Sequence, residues 1–149
     1  MTEADLIAGG YAGLFLTAFL AATLLPLSSE AVLVALGNAE GFDVILLFGL
    51  ATFGNTLGAV VNWGLGRFCL HWAGRRWFPF SQDQLARAGD RFGKYGIWSL
   101  LFAWVPIIGD PLTFAAGVLR TPFLPFLILV GLGKAARYVA VLLAAGAVL

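Results

Sequence analysis

Four ionisable residues lie inside apolar stretches of this chain: Glu30, Asp110, Lys134 and Arg137. Glu30 and Asp110 each follow a proline by four residues, Pro26 and Pro106, and Lys134 and Arg137 stand three apart near the middle of the last apolar run. An uncompensated charge at the centre of a membrane helix costs about 2.5 to 3.5 kcal/mol on insertion scales. Four together would cost on the order of 10 kcal/mol, as much as the whole stability of many domains. Such residues persist where they face a protein interior or a wet cavity, and there they bind something or move protons. The carboxylates suit proton exchange, because burial raises a carboxylate pKa and a nearby cation lowers it. The expectation is that Glu30 and Asp110 face each other near the membrane midplane, with Lys134 or Arg137 tuning them. The cations suit an anion. Arg137 is the first candidate for a phosphate contact, since its planar fork donates two parallel hydrogen bonds, and Lys134 is the second. A spacing of three puts both on one helix face. The competing reading is a permanent set of ion pairs that holds a bundle together, although buried pairs often stabilise no better than apolar packing.

The elements that must carry these residues are membrane elements. The chain has 149 residues, 60% of them hydrophobic and 11% charged, with mean hydropathy +0.91. Soluble domains carry about 25% charged residues. The length suits one integral membrane domain. A net charge of +1 predicts no nucleic-acid surface. Cys69 and His71 are the only residues of their types, so neither an internal disulfide nor a metal-ligand spacing is present, and no cofactor is expected. No nucleophile stands with a matching base and there is no phosphate loop, so an enzyme is not expected. The start, Met1-Thr2-Glu3-Ala4-Asp5, is acidic where a signal peptide is basic, and the apolar segment behind it reads as retained.

The first apolar run, residues 6–37, is broken once at Pro26-Leu27-Ser28-Ser29-Glu30. Pro26 removes a backbone donor, and Ser28 and Ser29 can cap a helix that restarts near Glu30. The run is long enough for one span plus extra or for a hairpin of two half-helices, which would put the N-terminus on opposite sides. Broken backbone at membrane depth must be buried in protein or water, so a re-entrant hairpin fits best. The second run, residues 44–66, has the length of a spanning helix. Its Thr52, Asn55, Gly58, Asn62 and Gly66 share one face, which suits either close helix packing or a pathway lined by Asn55 and Asn62. Residues 67–94 hold six of the nine cations, which predicts a cytoplasmic linker; Ser81-Gln82-Asp83-Gln84 predicts the start of an interfacial helix running to about Lys94. The loop 38–43 has no cation and should face the other side. The third run breaks at Pro106-Ile107-Ile108-Gly109-Asp110-Pro111, a second candidate hairpin, and the fourth, residues 123–146, is a second full span. Gly9 and Gly13 offer a small-residue face for self-association, so a homo-oligomer is an open possibility.

The two halves match at an offset of 80: Pro26, Glu30 and Gly37 against Pro106, Asp110 and Gly117. One residue fewer then aligns Gly54-Asn55 with Gly133-Lys134. The fold class expected is an all-α polytopic membrane protein of two inverted repeats, each an interfacial helix, a re-entrant broken-helix hairpin and a spanning helix. Repeat 1 covers about 1–66, the amphipathic linker about 67–94 and repeat 2 about 95–149. Inverted repeats with broken helices meeting at the midplane are a recurring transporter plan.

At these residues the chain resembles the DedA family, also called the SNARE-associated or VTT domain superfamily, and its short YqaA-like branch most of all. The resemblance covers nearly the whole chain. It rests on Thr23-Leu24-Leu25-Pro26-Leu27-Ser28-Ser29-Glu30, on Gly54-Asn55-Thr56-Leu57-Gly58 with Asn62 and Gly66-Arg67-Phe68, and on Trp104-Val105-Pro106-Ile107-Ile108-Gly109-Asp110 with Gly117, Gly133-Lys134 and Arg137-Tyr138. It implies two oppositely entering hairpins and movement of lipids or lipid carriers such as polyprenyl phosphate, with dependence on the proton motive force, in a bacterial cytoplasmic (inner) membrane. It carries the first-hairpin acid to Glu30. The second-hairpin arginines of the family fall here on Trp104 and Gly109, so that hairpin lacks the family's arginines for an anionic headgroup, and Asp110 is the variant of the short branch. The expected site is therefore Glu30 and Asp110 for proton coupling and Arg137, Lys134, Asn55, Asn62, Ser29 and Trp104 for substrate, with Pro26, Pro106 and Gly109 at the breaks. Three functions stay open: a lipid or lipid-phosphate translocase, a proton- or ion-coupled carrier of a small polar solute, and a non-transporting membrane assembly factor.

Overall fold

The structure is a computed structural model that describes residues 2–23, 28–68, 80–105 and 108–146. All regular structure among these residues is helical: α1 (Glu3–Thr23), α2 (Ser29–Gly37), α3 (Val44–Phe68), α4 (Gln82–Tyr95), a 3₁₀ helix (Gly96–Phe102), α5 (Gly109–Val118) and α6 (Phe123–Ala144). Pro26, Pro106, Cys69 and His71 lie outside the described residues.

Three helices are long and apolar enough to cross a membrane: Glu3–Ala22, Val44–Phe68 and Phe123–Ala144. The second and third are the two spans expected from sequence. The first falls in the run for which one span plus extra and a hairpin are both open from sequence. The stretch expected to open a hairpin is one 21-residue helix, because nothing in it interrupts the apolar run before residues 24–27. By contrast α2 has 9 residues and α5 has 10, too short to cross a hydrocarbon core that needs about 20. Seven consecutive residues of α5, Pro111 to Gly117, are buried, so this helix is enclosed by protein on all sides. The repeat spacing recurs in the helices: α2 begins at residue 29 and α5 at 109, 80 apart, while α3 begins at 44 and α6 at 123, 79 apart.

The chain divides into two compact units, Met1–Gly58 with Ala135–Leu149, and Ala59–Lys134. In the first, α1 packs on α2, and the core is Leu14, Ala18, Leu33, Leu47, Ala51, Tyr138 and Leu142. In the second, α4 and the 3₁₀ helix pack on α5. Its core is Ala59, Leu100, Ala103, Ala116, Phe126 and Val130, and a second cluster holds Phe80 and Phe114 with their rings tilted at 5.7 Å. Helix α4 begins at the expected capping box: Ser81 Oγ accepts from the Gln84 N–H at 3.1 Å, and Gln84 Oε1 accepts from the Ser81 N–H at 2.9 Å. Its polar face is exposed and Ala88 is buried against Leu112 and Ala115, the arrangement of an amphipathic surface helix.

Candidate functional site

The first unit holds Glu30. Ser28 caps α2 by accepting from the Ala31 N–H at 3.3 Å, which places Ser29 and Glu30 in the first helical turn. A carboxylate there is favoured by the backbone donors of the first turn and the positive end of the helix dipole. Glu30 Oε1 pairs with the Arg137 guanidinium from α6. One residue back on α2 and one forward on α6, the Ser29 and Tyr138 hydroxyls bond at 2.8 Å, both essentially inaccessible to solvent. Two adjacent residues of α2 thus clasp two adjacent residues of α6, one link ionic and part-exposed, the other neutral and buried. Asn55 is buried on α3 and donates its Nδ2 to the Ala18 carbonyl of α1 at 2.9 Å, close to Gly54, where an added Cβ would stand 2.7 Å from the Phe15 carbonyl.

The second unit holds Asp110, again in the first turn of its helix. Lys134 Nζ lies 3.5 Å from Asp110 Oδ1; Lys134 is 3% exposed and Asp110 30%. An ammonium so deeply buried is sustained only by a counter-charge and hydrogen bonds. The approach is built from glycine. A Cβ on Gly109 would collide with the Ala103 carbonyl, and one on Gly133 would stand 2.7 Å from the Leu101 carbonyl and 3.4 Å from Trp104 Cδ1. Trp104 therefore lies against α6 beside Lys134, and is itself part-exposed at 39%. Asn62 is fully buried on the same unit's portion of α3.

Of the residues expected at the site, Glu30, Arg137 and Ser29 come together in one unit and Asp110, Lys134, Gly109 and Trp104 in the other. Asn55 ties α1 to α3 within the first unit. Sequence reasoning missed Tyr138 as a partner. The signal was there: a tyrosine in an apolar span needs a hydrogen-bond partner, and Ser29 is the matching small polar residue beside the matching acid. It also missed that the Thr52 and Thr56 hydroxyls on α3 are buried without a hydrogen-bond partner. Thr17 on α1 instead bonds back to the Gly13 carbonyl at 2.7 Å, the usual solution for a helical threonine. Among the described residues no three His, Cys, Asp or Glu side chains converge to hold a metal.

The model of the VTT domain matches residues 3–147. The inner membrane protein YqaA of Escherichia coli is 41% identical over 131 residues, covering 86% of this chain and 85% of that protein. An uncharacterized protein of Haemophilus influenzae is 36% identical over 139 residues, 87% of this chain and 83% of its own. The undecaprenyl phosphate transporter A of Staphylococcus aureus is 26% identical over 131 residues, 80% of this chain and 64% of that protein. No solved structure matches the chain significantly. With the motifs of both acid-bearing helices inside the matched span, this chain belongs to the VTT-domain (DedA) family of membrane proteins, among its YqaA-like members.

Proposed function

We propose that this protein moves a lipid phosphate, polyprenyl phosphate or phospholipid, between the leaflets of the bacterial inner membrane, with proton exchange at Glu30 and Asp110. The observation that carries the reading is that each carboxylate at the start of a short helix is paired with a cation of α6. A phosphate reaching Arg137 competes with Glu30 for the same guanidinium donors. Once Arg137 turns to the phosphate, Glu30 loses its counter-charge, and a proton from water neutralises it. Loss of that proton restores the pair and releases the phosphate. Lys134 and Asp110 repeat the exchange with a point-charge cation. Because Trp104 and Gly109 stand where other family members have arginines, the cations of α6 take over headgroup contact. Ser29 fixes the Glu30 turn, and Asn55, Asn62 and Trp104 supply polar and aromatic lining. The transporter name of the S. aureus relative and the inner-membrane name of the E. coli relative agree with this reading. The inverted insertion of the two hairpins and a cytoplasmic position for residues 67–94 belong to the same proposal.

The test is leaflet exchange in proteoliposomes with labelled polyprenyl phosphate or phospholipid, with and without a pH gradient, beside Glu30→Gln and Asp110→Asn. Wild-type exchange lost in folded Glu30→Gln protein supports a proton site. Exchange kept, with a lower melting temperature, assigns Glu30 to a structural pair. No exchange of any lipid by folded wild type transfers the weight to a solute carrier or an assembly factor.

A further inference from the structure

Arg120 is the one non-glycine residue with positive φ among the described residues, at 57°; the other such positions are Gly41, Gly96 and Gly146. It follows the C-cap Leu119 of α5 in a two-bond helix closure. The Thr121 N–H donates to the Ala116 carbonyl at 2.9 Å and the Arg120 N–H to the Gly117 carbonyl at 3.0 Å. Glycine is the residue that fits this left-handed position without steric cost, and a strained side chain kept there points to a use for it. The side chain is exposed.

Arg67, in the last turn of α3, comes to the same end of the second unit. A Cβ on Gly117 would collide with the Trp63 carbonyl and stand 3.0 Å from the Arg67 nitrogen, and one on Gly66 would collide with the Phe114 carbonyl. The backbones of α3 and α5 thus touch along residues 63–67 and 114–118, in the turns that lead into the two arginines. Trp63 holds the assembly. Its Nε1 donates to the carbonyl of Thr121, next to Arg120, at 3.1 Å, and the Arg67 guanidinium lies 5.3 Å from its ring centroid. Phe68 and Phe123 flank the cations, Phe68 at 5.7 Å from Arg67 and Phe123 at 5.4 Å from Trp63. Neither arginine is paired with a carboxylate among the described residues.

We propose that Arg67 and Arg120 form a docking site for the phosphate of a lipid at the membrane surface, ahead of the charge pairs. Two guanidinium forks suit a phosphomonoester dianion. The exposed Phe68, Phe123 and Leu119 around them suit the headgroup level of a bilayer and mark a lipid rather than a soluble anion as the occupant. The assignment rests on the lipid-phosphate reading above and names where that substrate is first held.

The test uses the full chain in phosphatidylcholine nanodiscs, titrated with farnesyl phosphate, farnesol and inorganic phosphate against empty nanodiscs by calorimetry. Wild type should bind farnesyl phosphate and not farnesol. Arg67→Gln and Arg120→Gln should each weaken binding about tenfold, the loss of one charge-assisted hydrogen bond. Arg120→Gly should bind as weakly as Arg120→Gln while melting no lower than wild type, because glycine relieves the backbone; that separates a lost contact from a lost fold. Leaflet exchange by the same wild-type protein is read beside binding: farnesyl phosphate binding that needs Arg67 and Arg120 but comes without exchange keeps the docking site and rejects the transport reading, so the two fail independently. Wild-type affinity in the folded arginine variants overturns the site, as does equal affinity for inorganic phosphate.

Discussion

A buried hydroxyl is stable only with a partner, and Tyr138 and Ser29 supply one another's. Replacing Tyr138 by Phe leaves the Ser29 hydroxyl alone in an apolar core, at a cost of about 1 to 3 kcal/mol. Ser29→Ala in the Tyr138→Phe background should recover part of that loss, because both ends of the bond are then apolar. Thermal unfolding of the two single variants and the double variant in detergent reads this directly. Strict additivity would mean that the two hydroxyls do not stabilise one another. The residue scale is also where sequence reading was sharpest and where it stopped. Glu30, Asp110, Lys134 and Arg137 declared themselves because charge in an apolar run is costly wherever it falls. Which acid takes which base did not follow. Arg137 and Lys134 are equally good partners by chemistry, and the choice depends on contacts between residues far apart in sequence.

Helices were legible to the extent that their signals are local. The capping box at Ser81 and Gln84, the serine cap before Glu30 and the spans starting at Val44 and Phe123 all rest on residues within one turn of the boundary. The close approach of α3 to α5 is not local. Gly66 and Gly117 read from sequence as two glycines among 19, yet each is the place where a side chain would strike the backbone of the other helix. Gly64, on the same portion of α3, has nothing within 4 Å of a built Cβ. Gly117→Ala must therefore push α3 and α5 apart and should destabilise by about 1 to 3 kcal/mol or more, as overpacking does. Gly64→Ala adds a better helix former in open space and should stabilise by about 0.5 to 1 kcal/mol. Opposite signs for one chemical change on two glycines would place the helix crossing at 66 and 117; equal effects would reject it.

The whole molecule must choose a side of the membrane for each of its polar segments, and the cations make that choice. Lys and Arg in short loops set orientation, while acidic residues contribute little. The loop before α3 has Glu40 and Asp43 and no cation, whereas the segment after it carries six, with Arg67 at the end of α3 and Arg87, Arg91 and Lys94 on the exposed or half-buried surface of α4. On the proposed topology the 25-residue helix between two such segments is expected to span the bilayer with its C-terminal end in the cytoplasm. Cys69 is the only native cysteine, so a Cys69→Ser background leaves a clean chain for single labels. In that background Glu40→Cys should react with a membrane-impermeant maleimide added outside intact spheroplasts. Gln82→Cys, at the exposed start of α4, should react only in inverted vesicles. Reaction of both from one side would mean that α3 does not cross, and the inverted arrangement of the two acid-bearing hairpins would fall with it, since that arrangement requires one full crossing in each half.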